Sequence, residues 1–573
     1  MIVQALVKRY EDTLTVLPGW KRRNVSHALN ISETGKLLNI IPLEWDEKIQ
    51  EGSKTKKVKR KREFVLPDGG VRSSGVKASP LCDDAGYFLG IDEKRGNAKF
   101  EAAKTLHLEL LKNTNSSSAN AIIAYFTKGI TSTDIELVRA TIPNEKALAQ
   151  AVFIFQINGE FVDYNDLEIS TVWNNHYAAT DDIGMGQIRC LVTGKLDVSE
   201  SIHGKIKLRG GQSAGSNLIS ANAESFASYG NRAADPAAAI GKYAAFAHVT
   251  ALNDLLQDKS HHQFIGGDTL VYWAEENSQQ ESIDFGNFLN MKIEETDDDK
   301  LSDIMEKTTR TQHFNFDKCD MKRSFHILCL SPNAARISVR YYYANTFGAI
   351  IKNLKAHYHN LEIITDNRTK FTHLPYWVIL NETTVTKKAD KVAPLLGGQF
   401  LHSIIKGTTY PLTLYNAILT RIRAGEDVNQ TKAALIKAVL IKNFNDKEVT
   451  TVDLNQETNN KSYILGRLFA VLEQLQYRAS SGGLNSTIRD RYFTSACANP
   501  SNVFPTLLKL SIHHAAKLDN PTFYEKLKGE LMVALDERNP FPKALPMEDQ
   551  GRFILGYYHQ RQSFFAKTTK TDI

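Results

Sequence analysis

The sequence predicts an α+β protein: an N-terminal mixed α/β body over residues 1–396, then a C-terminal all-α helical bundle over residues 397–573. Three observations point there. The composition, 42% hydrophobic and 23% charged over 573 residues, is that of a globular chain too long for one core. Through the first 400 residues, the alternating pattern of strands is interleaved with apolar residues at helical spacing. From about Gly397 the texture becomes helices separated by short polar turns.

The opening MIVQALVKRYEDTL reads as an amphipathic helix and lacks the basic, apolar, small-residue order of a signal peptide. No apolar run reaches the ~18 residues of a membrane helix, so a cytoplasmic protein without a membrane partner is expected. VSHALNI and KLLNIIPL follow as a strand pair with a turn at Glu33 to Gly35. Residues 97–112 and 145–155 have helical spacing. AVFIFQINGEFV reads as strand, turn and strand about Asn158-Gly159, a pair suited to a tight hairpin. YAAFAHVTALNDLL sets Tyr243, Phe246, Ala247, Thr250 and Leu255 at near-helical intervals, with His248 as a core residue. DTLVYWAE is a strand, and the acidic stretch from about 275 to 310 is expected to be a linker. Its EETDDDK lacks the spaced oxygens of a calcium loop.

HILCLSPNAARISVRYYYANTFGAIIKNL reads as strand, turn, strand and a helix from about Thr346, with His357 and His359 on different faces of that helix. In the bundle, YILGRLFAVLEQLQY puts Leu465, Leu468, Phe469, Leu472 and Leu475 on one stripe before the breaker SSGG. Pro505 is expected to open a helix on which Lys509, His513 and Lys517 recur at i, i+4 and i+8. Cys82, Cys190, Cys319, Cys329 and Cys497 form no C-x-x-C pair, so neither a disulfide framework nor a metal site is expected, and no motif calls for a cofactor.

Charge is unevenly placed. Residues 401–573 carry 22 Lys and Arg against 16 Asp and Glu, which is the whole +6 excess of the chain. Within the first half, KTKKVKRKR holds seven cations: Lys54, Lys56, Lys57, Lys59, Arg60, Lys61 and Arg62. A run this polar cannot bury itself, so a mobile basic loop is expected over residues 51–80, extended by Arg72 and Lys77 in DGGVRSSGVKASP.

The stretch KIKLRGGQSAGSNLIS, 205–220, carries the chemistry to be decided. Gly211 to Gly215 satisfies G-x-S-x-G, which would make Ser213 the nucleophile of a serine hydrolase. That elbow needs a buried apolar strand before the serine and a helix after it, whereas HGKIKLRG is only half apolar. Gly210 to Gly215 also fits G-x-x-x-x-G, but Ser216 and Asn217 stand where a nucleotide-binding loop needs Lys and Ser or Thr. Anion contact is the remaining reading: glycines admit backbone N–H groups to a phosphate, Gln212, Ser213 and Asn217 offer hydrogen bonds, and Lys205, Lys207 and Arg209 supply positive field. The hydrolase remains the alternative.

HGKIKLRGGQSAGSNLISANAESFASYG, with YAAFAHVTALN, GDTLVYWAE, LSPNAARISVRYYYANTFG, GRLFAVLEQLQ, LNSTIRDRYFTSACANPSNVFPTLLKL and EDQGRFILGYYHQRQSFF, resembles the large subunit of the type I-C CRISPR surveillance complex, Cascade. QALVKRYEDTL and RSSGVKASPLCDDAGYFLGID carry the likeness to the N-terminus. The resemblance implies a non-catalytic reader of double-stranded target DNA. In such complexes guide pairing specifies the target while protein reads the short flanking PAM and stabilises the displaced strand. It implies as partners the CRISPR RNA, the backbone, 5′-handle-binding and small subunits, and a helicase-nuclease. By analogy with glycine-rich PAM loops, Gly210, Gly211, Gln212 and Ser213 are expected near the PAM. The basic segment is expected on phosphates, and Arg489, Arg491, Lys509, His513 and Lys517 along a groove for the displaced strand. The family is also associated with a small subunit translated separately from the 3′ end. No methionine lies between Met321 and Met532, so its start is expected at a near-cognate codon such as that of Val439 or Val449.

Overall fold

A computed structural model describes residues 1–13, 16–51, 54–70, 75–92, 94–114, 116–179, 187–200, 203–220, 225, 239–290, 318–364, 374–387, 392–393, 395–480, 486–535 and 538–565. The chain is α+β, and it divides into two units. One runs from Met1 to Gln257 and includes Asn333–Ile337; the other begins at Asp258 and takes the remaining described residues to the C-terminal helices.

In the first unit, helix α1 (Ile2–Thr13) buries Leu6, Val7 and Tyr10, with Tyr10 donating to the Val16 carbonyl. Strands β1 (Trp20–Val25), β2 (His27–Ile31), β3 (Leu37–Pro42), β4 (Glu44–Glu51), β5 (Lys54–Pro67) and β6 (Cys82–Asp84) follow. Helices α2 (Ala85–Leu89), α3 (Gly96–Leu111), α4 (Ser117–Lys128), α5 (Ser132–Thr141) and α6 (Glu145–Ala149) lead to β7 (Val152–Ile157) and β8 (Glu160–Phe161). Then come α7 (Leu167–Ala179), the β9 (Gln187–Arg189) and β10 (Leu196–Val198) pair, and α8 (Lys242–Gln257). One sheet has the order β3-β2-β7-β6, with β8 on β7; β2 and β7 are parallel, which the long helical crossover between them permits.

The β7 residues Phe153, Ile154 and Phe155 are fully buried, and Phe155 stacks on Phe88 within an aromatic core that includes Tyr125, Phe126 and His107. His107 is satisfied there, accepting from the Leu81 N–H at 2.9 Å and lying 2.7 Å from the Ala103 carbonyl. The expected hairpin at Asn158-Gly159 forms, both residues at positive φ. The helical spacing over 145–155 ends early, because the helix stops at Ala149 and β7 takes over.

The basic segment is a strand where a mobile loop was expected. β5 pairs antiparallel with β4 over Lys54 to Lys61 and with β1 over Arg62 to Pro67. The first part is therefore a two-stranded ribbon about 26 Å long at the usual strand rise. EWDEKIQE supplies carboxylates opposite the cations, a partner that the run judged alone conceals. Arg72 lies outside the described residues; Lys77 is exposed, its backbone N–H donating to the Tyr87 hydroxyl.

In the second unit, β11 (His262–Ile265), β12 (Asp268–Ala274), β13 (Ser324–Asn333) and β14 (Arg336–Thr346) form a sheet in sequence order, with α9 (Gln280–Asn290) between β12 and β13. That helix replaces the first part of the expected acidic linker, since Phe285 and Leu289 give it an apolar face to bury; residues 291–310 lie outside the described residues. Among the described residues ten helices follow: α10 (Phe347–Leu361), α11 (Tyr376–Asn381), α12 (Leu396–Lys406), α13 (Leu412–Arg423), α14 (Gln430–Phe444), α15 (Lys461–Ala479), α16 (Ile488–Ala498), α17 (Pro500–Ala515), α18 (Thr522–Val533) and α19 (Met547–Ser563). The division expected at 396/397 is not where the structure divides. Leu270, Phe325, Ile327, Phe347, Phe400, Leu435, Leu468 and Tyr557 belong to one continuous core, which ties residues 258–396 to the bundle.

Helix α15 carries the expected stripe, and Gly466 lets it approach α19 so closely that a Cβ there would overlap the Phe553 carbonyl and lie 2.8 Å from the Tyr557 nitrogen. Gly556 answers from α19: its Cβ would lie 2.9 Å from the Tyr463 carbonyl carbon. The helix expected to open at Pro505 opens at Pro500, at the first helical position, leaving Pro505 inside.

Candidate nucleic-acid interface

The GGQSAG segment is a double turn on the surface of the first unit. Paired hydrogen bonds between Ile206 and Ser216, 2.9 Å each way, close its base. Inside, the Gly211 N–H donates to the Leu208 carbonyl and the Gly215 N–H to the Gln212 carbonyl. Gly210 and Gly215 have φ of 79° and 86°, a region that disfavours side chains, so the turn itself requires both. Gln212, Ser213 and Ala214 are exposed at the tip.

Among the described residues from 203 to 220, Ser213 is flanked by isolated bridges, with no strand leading into it and no helix following it, so the local backbone is not that of a nucleophile elbow. Among the described residues, no imidazole is hydrogen-bonded to its hydroxyl. Asn217 is not on the surface where sequence reasoning placed it. Its side chain is buried, donates to the His203 carbonyl and accepts from the Lys205 ammonium, while its backbone pairs with Ala335 and Ile337. It fastens the base of the turn, and Lys205 is partly spent on it. Lys207 and Arg209 remain exposed.

Lys205 and Lys207 line a cleft of about 950 Å³ whose other walls are β1 and α8. β1 contributes Lys21, Arg22 and Arg23, consecutive cations in WKRRNV that sequence reasoning missed although the run is visible there. Lys21 is paired with Asp68 at 2.6 Å, Arg22 with Glu63 at 3.3 Å, and Arg23 donates to the Cys82 carbonyl. From α8, Lys242 lies 4.0 Å over the Tyr177 ring, and Asn253 ties α8 to the Lys205 carbonyl and the Lys207 N–H. His203 in the cleft wall lies 5.2 Å from His248, ring to ring, and burial depresses both, His248 to about 4. Both imidazoles are therefore neutral at neutral pH, so the cations of the cleft are its Lys and Arg, set against the carboxylates of Glu63, Asp68, Glu200 and Asp254 in the same lining. His248 is a core residue, its Nδ1 2.7 Å from the Ala244 carbonyl.

On the ribbon, Lys57, Lys59, Arg60 and Arg62 are exposed and Lys61 is half-buried. Lys54 and Lys56 lie on the strand, their side chains outside the described residues. Lys59 binds Glu44 at 2.6 Å, which holds that carboxyl below its ordinary value and raises the ammonium; Arg60 binds Glu47 at 2.5 Å. The Arg62 guanidinium lies over the Phe64 and Phe161 rings at 5.1 and 4.6 Å, a cation–π stack that fixes it at the root of the ribbon.

On the bundle, Lys509 and His513 share the exposed face of α17 with Ile512, Lys517 follows just beyond the end of that helix, and Arg491 is exposed on α16. Arg489 is a correction. Only 12% of its side chain is exposed; it binds Asp427 at 2.7 Å and donates to the Glu426 carbonyl, so it fastens α16 to the turn before α14. Glu426 continues that network to the buried Lys432 and to Lys387, which also meet Glu382.

No group of His, Cys, Asp or Glu able to hold a metal ion occurs among the described residues, and no described helix is long and apolar enough to cross a membrane. A comparison with curated proteins gave no match. The family model described as CRISPR-associated protein (Cas_Csd1) matches residues 4–565, nearly the whole chain, and the chain therefore belongs to the Cas_Csd1 family of CRISPR-associated proteins.

Proposed function

We propose that this protein is the DNA-reading large subunit of a type I-C Cascade, without chemistry of its own, acting in the cytoplasm. It recognises the PAM on double-stranded DNA, supports R-loop formation, stabilises the displaced strand and helps to recruit the helicase-nuclease. The observation that carries the reading is the exposed Gln212–Ala214 tip, with the exposed Arg209 close in sequence and Lys207 lining a cleft that β1 cations also wall, on a chain of a CRISPR-associated family.

Gly210, Gly211, Gln212 and Ser213 present the turn to the PAM-proximal duplex, where Gln212 and Ser213 offer hydrogen bonds. Lys207 and Arg209 take phosphates, with Lys205 behind them. The ribbon from Lys54 to Arg62, with Lys77, takes phosphates farther along, each contact adding affinity that falls with salt. Arg491, Lys509, His513 and Lys517 grip the displaced strand without reading its sequence. Guide RNA and the other Cascade subunits supply target choice and the frame.

The test is target binding by the assembled complex with and without this chain, on guide-matched duplexes that differ only beside the guide-complementary region. The chain should confer discrimination between flanks. Equal affinities for all flanks would remove the PAM-reading role.

A further inference from the structure

The ribbon presents an oddity for a phosphate-binding arm: two of its exposed cations, Lys59 and Arg60, already hold carboxylates. β4 sets Glu44, Trp45, Asp46 and Glu47 against Lys61, Arg60, Lys59 and Val58 of β5, and the diagonal ion pairs Lys59–Glu44 and Arg60–Glu47 close at 2.6 and 2.5 Å. Farther out Lys48 and Lys57 are directly opposite and repel, and only Glu51, in register with Lys54, adds acid on β4. The acid is concentrated at one end of the ribbon.

We infer that Glu44 and Glu47 act as an intramolecular phosphate mimic, occupying Lys59 and Arg60 so that the ribbon grips duplex DNA weakly until a correctly placed phosphate displaces the carboxylates. A carboxylate presents to Lys or Arg the same anionic oxygens as a phosphate. These pairs are exposed, with side-chain exposures of 66% and 21% for Lys59 and Glu44 and 47% and 46% for Arg60 and Glu47, so they are weak enough to exchange. The device lowers affinity for arbitrary sequence, against which any specific reader competes. It rests on the DNA-binding reading above.

The full chain carrying Glu44→Gln and Glu47→Gln, both near-isosteric, is titrated with a labelled duplex of random sequence across NaCl concentrations, beside the unaltered chain. Released from Glu44 and Glu47, with Asp46 still opposite Lys59, the two cations should tighten binding at low salt and steepen log K against log[salt] by up to about 1.8, so that the loss of affinity from 50 to 200 mM grows up to about 12-fold. Unchanged or weaker binding overturns the inference. Lys59→Ala with Arg60→Ala separates it from the function itself. If that pair weakens the unaltered chain as much as it weakens the Gln variant, the cations were already available: the mimic is wrong and DNA binding stands. If no version binds duplex at any salt, the DNA-binding reading falls and the mimic with it.

Discussion

Replacing Gly466 by Ala should loosen the bundle. The added methyl would overlap the Phe553 carbonyl and lie 2.8 Å from both the Phe553 carbonyl carbon and the Tyr557 nitrogen. Ordinary carbon contacts need about 3.5–4.0 Å, so the two helices must separate by roughly 1 Å. The obstructing atoms are backbone and cannot turn aside. The cost belongs at the upper end of overpacking, about 3 kcal/mol, because a gap of that size also forfeits a quarter to a half of each dispersion contact along the seam. At roughly 2–4 °C per kcal/mol, the transition of this unit should fall by about 6–12 °C. Gly529 on α18 is the control: nothing lies within 4 Å of its Cβ position, so Gly529→Ala should be neutral or raise Tm slightly. Scanning calorimetry of both variants checks this. A Gly466→Ala protein melting with the parent would refute the backbone contact between α15 and α19.

The further predictions concern charge and the site. Burial holds His107 and His248 near pH 4 and His357 and His559 near pH 3, while an unfolded histidine titrates near 6.5. Below 6.5 the unfolded chain takes up protons that the folded chain refuses. Stability is thus full above about pH 7 and falls on acidification toward 4, by on the order of 1–2 kcal/mol per histidine at pH 5; equal melting temperatures at pH 5 and 7.5 would contradict this. Ser213→Ala should keep most DNA affinity, and the parent should resist a fluorophosphonate probe, labelling of Ser213 being the result that restores the hydrolase. Lys207→Ala with Arg209→Ala should make the salt slope shallower by about 1.8, read by anisotropy titration. Arg489→Ala should instead cost about 1–2 kcal/mol of stability and leave that slope unchanged.

Most elements were legible because their signals are local. Asn158-Gly159 makes the hairpin it encodes, Thr346 caps the helix expected to begin there by accepting from the Ala349 N–H, and the stripe from Leu465 to Leu475 faces the core. What failed depended on distant partners. Lys54 to Arg62 reads as an unburied run until EWDEKIQE is laid against it, and Arg489 reads as a surface cation until Asp427 arrives from 62 residues away. The cleft was illegible for the same reason: β1, residues 203–207 and α8 are far apart in sequence and only folding places their cations around one space. Asn217 illustrates the opposite error, a polar residue taken for a reader that is in fact a fastener.

The single core running from β12 to α19 bears on any separately translated C-terminal product. A start at Val439 would cut α14 in the middle, whereas a start at Val449 spares α15 to α19 but discards α14, whose Ile436 packs on Gly551 of α19. Such a product would be born with a bare oily flank. It would be obliged to lean on a neighbour, which is the natural condition of a subunit meant to be stacked and a poor one for a protein meant to circulate alone.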